Sequence, residues 1–169
     1  DFYRINHFLT SMGVLCHPNY TDEKANGVGV SIDPIYGTSN TFYLNSQVGE
    51  DLITNPGGTS LPEELLLDRV SISKNDYIVI QRSSLIQDDS LILEGYLDEM
   101  RDYLTIIHNE FAELYHASND DNFAMDIEYK ITKNDQLIIK QARPWVSYVF
   151  QEEEELPKLD SVNLKVFPN

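Results

Sequence analysis

The stretch FAMDIEYKITKNDQLIIKQAR, residues 123–143, holds two alternating runs, Phe123 to Ile131 and Gln136 to Arg143, joined by Thr132-Lys133-Asn134-Asp135. Alternation at period two around a polar break is the pattern of a β-hairpin. Asn134 and Asp135 tolerate positive φ and read as a two-residue turn, which sets Lys133 opposite Gln136. That register sets Glu128 opposite Gln141 and Asp126 opposite Arg143, and because alternate side chains share a face, all four point the same way. Met125, Ile127, Tyr129 and Ile131 then share the core side with Ile138. A slip of one residue scatters the four polar groups, so the register is the assumption on which the rest depends.

Two carboxylates, an amide and a guanidinium on one patch of sheet suit a metal-bound polyphosphate. Magnesium takes oxygen ligands, one or two from protein and the rest from phosphate and water, and Glu128 and Gln141 can supply them. Arg143 offers a planar fork for phosphate oxygens that a lysine does not reproduce. Asp126 can hold that guanidinium or take a metal-bound water. The alternative is a cross-strand surface ion pair of Asp126 with Arg143, worth ~0–1 kcal/mol and without functional meaning.

Upstream of the hairpin the period changes. Between Leu93 and His116, Leu97, Met100, Leu104, Ile107, Phe111 and Leu114 recur three and four apart, which predicts a helix over about 92–117 with one apolar stripe. Glu99, Arg101, Asp102, Asn109 and Glu113 fall on its wet side. His108 and His116 read as structural in this setting. Earlier still, Gly13 to Cys16, Gly27 to Ile32, Thr41 to Leu44, Leu65 to Val70 and Tyr77 to Gln81 read as strands divided by turn-forming stretches such as Asn55-Pro56-Gly57-Gly58. The sum is an α+β fold: a mostly antiparallel sheet, one long packed helix and a carboxyl-terminal hairpin. Residues 1–150 form the lobe. Residues 151–169 open with a like-charge block, Gln151 to Glu155, and read as an acidic boundary, a linker or an exiting strand at Val162 to Phe167.

Composition bounds the partners. Among 169 residues, 12 Lys and Arg against 28 Asp and Glu give a net charge of −16, a field that repels nucleic acid and anionic lipid. No apolar run is long enough to span a bilayer, and Asp1 to Leu9 lacks an export pattern, so a cytoplasmic location is expected. The single Cys16 excludes an internal disulfide and reads as a small buried hydrophobe. The first residue already opens an amphipathic segment, Phe2, Ile5, Phe8 and Leu9, so the chain reads as a fragment of a larger protein.

Asp126-Ile127-Glu128-Tyr129, followed after a turn by Leu137 to Pro144 with Gln141-Ala142-Arg143-Pro144, resembles the closing signature of the nucleotide-binding domain of phosphoenolpyruvate synthases and pyruvate phosphate dikinases. Ala25 to Pro34 resembles that family's strand ending in an acidic or amide residue and proline. Asn45 to Ile53 resembles its glycine-glutamate segment, although Gln47 and Val48 depart from the commonest form. The resemblance runs from about residue 12 to 146, in the family's order. It implies the carboxyl-terminal half of an ATP-grasp domain, with Mg2+ and ATP as cofactors. Glu128 and Gln141 would carry the metal, Arg143 would act on the terminal phosphates as the catalytic group, and Asp126 would support it; Glu50 would lie near the nucleotide.

The activity so implied moves a phosphoryl group from ATP to a histidine on a swivelling domain, then to pyruvate. Two partners within the same protein follow: an amino-terminal grasp lobe bearing lysine and arginine, and the phosphohistidine domain. None of His7, His17, His108 or His116 matches that histidine's context, so the chain alone is expected to be inactive. Dikinases acting on glucan or an antibiotic share this nucleotide domain. A non-catalytic grasp-fold module is the reading from a different class.

Overall fold

A computed structural model describes residues 16, 21–50, 60–71 and 76–145. The strands expected at Gly13 to Cys16 and Val162 to Phe167, and the acidic block, lie wholly or mostly outside those residues. Among the described residues the fold is α+β: six antiparallel strands and one helix. In chain order these are β1 (Ala25–Val30), β2 (Thr41–Val48), β3 (Glu63–Asp68), β4 (Tyr77–Gln81), α1 (Leu97–Leu114), β5 (Met125–Ile131) and β6 (Leu137–Pro144). Strands β1 to β4 form a meander. The chain then crosses the sheet through α1 and adds β5 on the free side of β1, giving the order β4-β3-β2-β1-β5-β6.

The face beneath α1 is the core. Phe42, Leu44, Leu65, Leu67, Ile127, Tyr129, Ile131 and Leu137 meet Leu93, Met100 and Leu104 there, all but buried from solvent. Burying a side chain of this size contributes about 1.5–3 kcal/mol. Two glycines of β1 make room: a Cβ on Gly27 would stand 2.1 Å from the Tyr129 ring, and one on Gly29 would stand 3.0 Å from Leu44. Tyr129 therefore lies across β1, its hydroxyl 2.6 Å from Ser46 Oγ.

That polar contact explains why β2 outruns the strand expected at Thr41 to Leu44. Asn45, Ser46 and Gln47 look like loop residues, yet Ser46 has Tyr129, and Gln47 accepts from Ser83 Oγ at 2.7 Å and donates to the Leu61 carbonyl at 3.2 Å. With their hydrogen bonds satisfied inside, these residues can continue the ladder. Strands β1 and β3 each begin two residues before the expected start and end two before the expected end. β4 falls on the expected residues.

The helix is shorter than the expected 92–117. Residues 92–96 are turns, with Tyr96 N–H donating to Leu93 O at 2.8 Å, and His116 has φ 57°. Its stripe is also narrower, since Leu114 is 68% exposed. Arg101, expected on the wet side, is instead buried: Nε donates to the Asp68 carbonyl at 2.7 Å and Nη1 meets Asp98 at 2.5 Å. Its stem covers apolar surface while its head finds oxygen partners. Cys16 is exposed, not buried as expected. No described helix is long and apolar enough to cross a membrane.

Candidate functional site

The hairpin carries the four polar residues on the sheet face away from α1. Asp126 pairs with Arg143 and Glu128 with Gln141, as the sequence predicts. The turn differs. Thr132 N–H donates to Gln136 O at 2.9 Å and Asp135 has φ 61°, so the loop is Lys133-Asn134-Asp135, three residues closed by a left-handed one. A three-residue loop alone would move every pair by one. A bulge between Glu128 and Tyr129 inserts one extra residue into β6 and restores the register at the site. Between the turn and the bulge the slip persists, so Ile138 faces Lys130, and it is Leu137, Ile139 and Ala142 that join the core side.

Neighbouring strands extend the arrangement into two rows. Gln141, Glu128, Val28, Asn45, Glu64 and Gln81 lie in register across the sheet; Arg143, Asp126, Val30, Tyr43, Leu66 and Ile78 lie beside them. Asp126 is buried and takes Arg143 Nε and Nη2 on the same oxygen, each at 2.7 Å. The hydrogen bond to Asp126 raises the Arg143 pKa, and the charge of Glu128 adds to it. Arg143 is anchored at its base while 62% of its side chain remains exposed. Glu128 and Gln141 are half-buried, and among the described residues neither side chain makes a hydrogen bond. Their oxygens are free to meet a hard cation.

Sequence reasoning missed Asn45 and Glu64. Among the described residues Asn45 Oδ1 is buried with no hydrogen-bond partner, an expensive state, while its amide donates to the Tyr43 hydroxyl at 3.4 Å. Glu64 accepts from the Tyr36 hydroxyl at 3.1 Å. Alternation would have found both had β2 been extended past Leu44 and β3 begun before Leu65.

Glu50 is not brought to this group. It follows Gly49 (φ 69°) beyond β2, where Oε1 accepts Asp22 N–H at 3.1 Å. That is the Ala25 end of β1, whereas Asp126 lies opposite Val30 with Arg143 beyond it, and Val30 is roughly 17 Å from Ala25 at ~3.4 Å per strand residue. Among the described residues no three of His, Cys, Asp and Glu gather into a cation site. A Mg2+ ion bound with a nucleotide does not need such a cage, because phosphate and water complete its shell. One carboxylate and one amide oxygen fit that ion.

Comparison with known protein families gives no match to this chain, and no curated protein matches it.

Proposed function

We propose that the chain is the carboxyl-terminal lobe of an ATP-grasp nucleotide-binding domain, in a phosphotransferase of the phosphoenolpyruvate synthase and pyruvate phosphate dikinase kind. The observation that carries this reading is the hairpin register, which aligns Glu128 with Gln141 and Asp126 with Arg143 on one face. In this reading Glu128 and Gln141 hold Mg2+ by oxygen, and Arg143, fixed by Asp126, directs its fork at the terminal phosphates. Mg-ATP supplies the phosphoryl group. The chain's own residues orient it and offset its charge, which is how phosphoryl transfer is catalysed in general. The acceptor, a histidine on a swivelling domain and then pyruvate, lies outside the chain; glucan or an antibiotic would leave the nucleotide chemistry unchanged.

Charge argues that such a site needs a second, cationic lobe. Close unit charges interact by ~4 kcal/mol at an effective dielectric near 20, and a chain of −16 opposes a tetra-anion. Exposed Ile78 and Ile80 on the face away from α1 are compatible with a partner there. The 169-residue chain alone is therefore predicted to bind Mg-ATP weakly and to transfer no phosphate. Tight binding by calorimetry would contradict the half-site. In the protein that joins both lobes, Arg143→Lys should lower kcat/KM about tenfold or more, as expected for losing one charge-assisted hydrogen bond of ~1.5–3 kcal/mol. Unchanged turnover would remove Arg143 from the site.

A further inference from the structure

A cavity of about 600 Å³ opens at the end of the sheet where β1 stops and β2 starts. Its walls come from the loop after β1, from Arg69 just past β3, from His108 on α1 and from residues 117–122 after the helix. None of Asp126, Glu128, Gln141 and Arg143 lines it. The volume lies within the ~300–1,000 Å³ typical of small-molecule sites.

Arg69 is the unusual group. In a chain with 28 acidic residues it meets no carboxylate among the described residues. Its Nη2 donates to the Ser31 carbonyl and its guanidinium lies over the Phe42 ring at 5.1 Å. Among the described residues Nε and Nη1 make no hydrogen bond, so donors of the planar fork remain for a ligand. Burial lowers its pKa, though the guanidinium stays charged.

His108 completes the pair. Ser31 Oγ accepts Met125 N–H at 2.8 Å and lies 2.8 Å from His108 Nδ1. The hydroxyl hydrogen is then best used on Nδ1, which leaves Nε2–H as the ring's remaining polar group. Burial first, and then the Arg69 charge, lower the His108 pKa, which favours the neutral ring.

The acidic residues around the cavity are partly spoken for. Asp33 accepts N–H groups from Ile35, Tyr36 and Thr38, and Asp120 accepts from Asn122. Burial acts to raise the Asp33 pKa, but those N–H bonds outweigh it and hold the carboxyl below its ordinary value. Asp121 adds one further charge to the wall. Arg69 supplies the opposite charge, and Thr38, Ser39 and Ser118 offer hydroxyls for the rest of a polar molecule.

We propose that this cavity binds the oxyanion group, phosphate or carboxylate, of a small polar molecule, with Arg69 as the counter-charge and His108 as a second donor. The proposal is independent of the nucleotide reading, because it uses neither the hairpin face nor its residues.

Side-chain NMR of the 169-residue chain tests it, with inorganic phosphate and acetate as separate probes. Saturable shifts of the Arg69 Nε–H and His108 ring signals are expected with at least one probe. Phosphate alone would assign a phosphate ester, acetate alone a carboxylic acid, and both the shared chemistry; shifts with neither overturn the proposal. Arg69→Met should weaken binding about tenfold or more, while Lys133→Met, which removes an exposed charge elsewhere, should leave it unchanged. Equal loss in the two variants would reduce the effect to net charge and overturn the site.

Because Arg69→Met also removes a contact to Ser31, a measurement on the unaltered chain stands beside it. A bound anion favours the imidazolium, so a saturating probe should raise the His108 titration midpoint. An unmoved midpoint overturns the proposal.

Discussion

Glu63 is a carboxylate with no exposure, held in the core by the backbone N–H of Ile92, 3.2 Å from each oxygen. Burial raises its pKa above the ordinary 4.5, and the N–H bonds and Arg82 only partly offset this. The folded state therefore binds its proton more tightly than the unfolded state. The linked stability is fully present below about pH 4.5 and is lost as pH rises through the folded pKa. Glu63→Gln keeps an acceptor for Ile92 without the charge, so the variant should gain Tm relative to the parent at pH 7 and lose that advantage at pH 4. An offset that is equal at the two pH values would show that ionisation of Glu63 is not involved. Asp126→Asn makes a contrasting case. Its exposed partner can return to water, so the stability cost should be only ~1 kcal/mol or less by urea denaturation, while ATP turnover in the joined-lobe protein falls. A large stability loss with turnover intact would recast the pair as structural. At this scale residue type was a poor guide to burial: Arg101 and Glu63 are inside because backbone groups meet them, and Leu114 is outside because the helix stripe ends early. Such contacts come from distant segments and leave no trace in local spacing.

Elements were more legible, and the hairpin shows both why and how far. Alternation from Phe123 to Arg143 identified both strands and the pairing at Asp126 and Glu128. The turn was misread, since Asp135 takes the left-handed position of a three-residue loop and is held there by Lys24 at 2.5 Å and the Tyr96 hydroxyl at 3.1 Å. The bulge in β6 offset the error at the site but not at Ile138. A bulge has no local signature in an alternating run, so only the core packing of Leu137 and Ile139 reveals it. Helix α1 was found from its period, with ends misplaced by turns that periodicity does not see. The contact of β1 with β5 gives this scale its test. Gly27→Ala should cost ~1–3 kcal/mol or more, read as a lower urea midpoint, because its Cβ collides with the Tyr129 ring. In a Tyr129→Leu background the same substitution should cost clearly less. Additive losses would mean that the ring and the glycine do not meet.

For the whole molecule, the strand order was not readable from the sequence. Nothing local says that β5 joins β1 while β4 stays at the far edge. Yet that order carries Asn45 and Glu64 into one row with Glu128 and Gln141 across the centre of the sheet. The hairpin alone disclosed a quartet, while the complete sheet embeds it in a polar row that contains a buried, unpartnered amide oxygen. It also leaves Glu50 at the opposite end of β1, a separation that a motif read along the chain does not contain. In the proposed nucleotide site Glu128, aligned with Gln141, carries the metal. Magnesium-dependent ATP turnover by the full-length protein, measured for the parent and for Glu128→Ala, tests it most directly. Turnover should collapse in the variant, with its fold and thermal stability preserved. Turnover equal to the parent's, with the same dependence on magnesium, would contradict the claim.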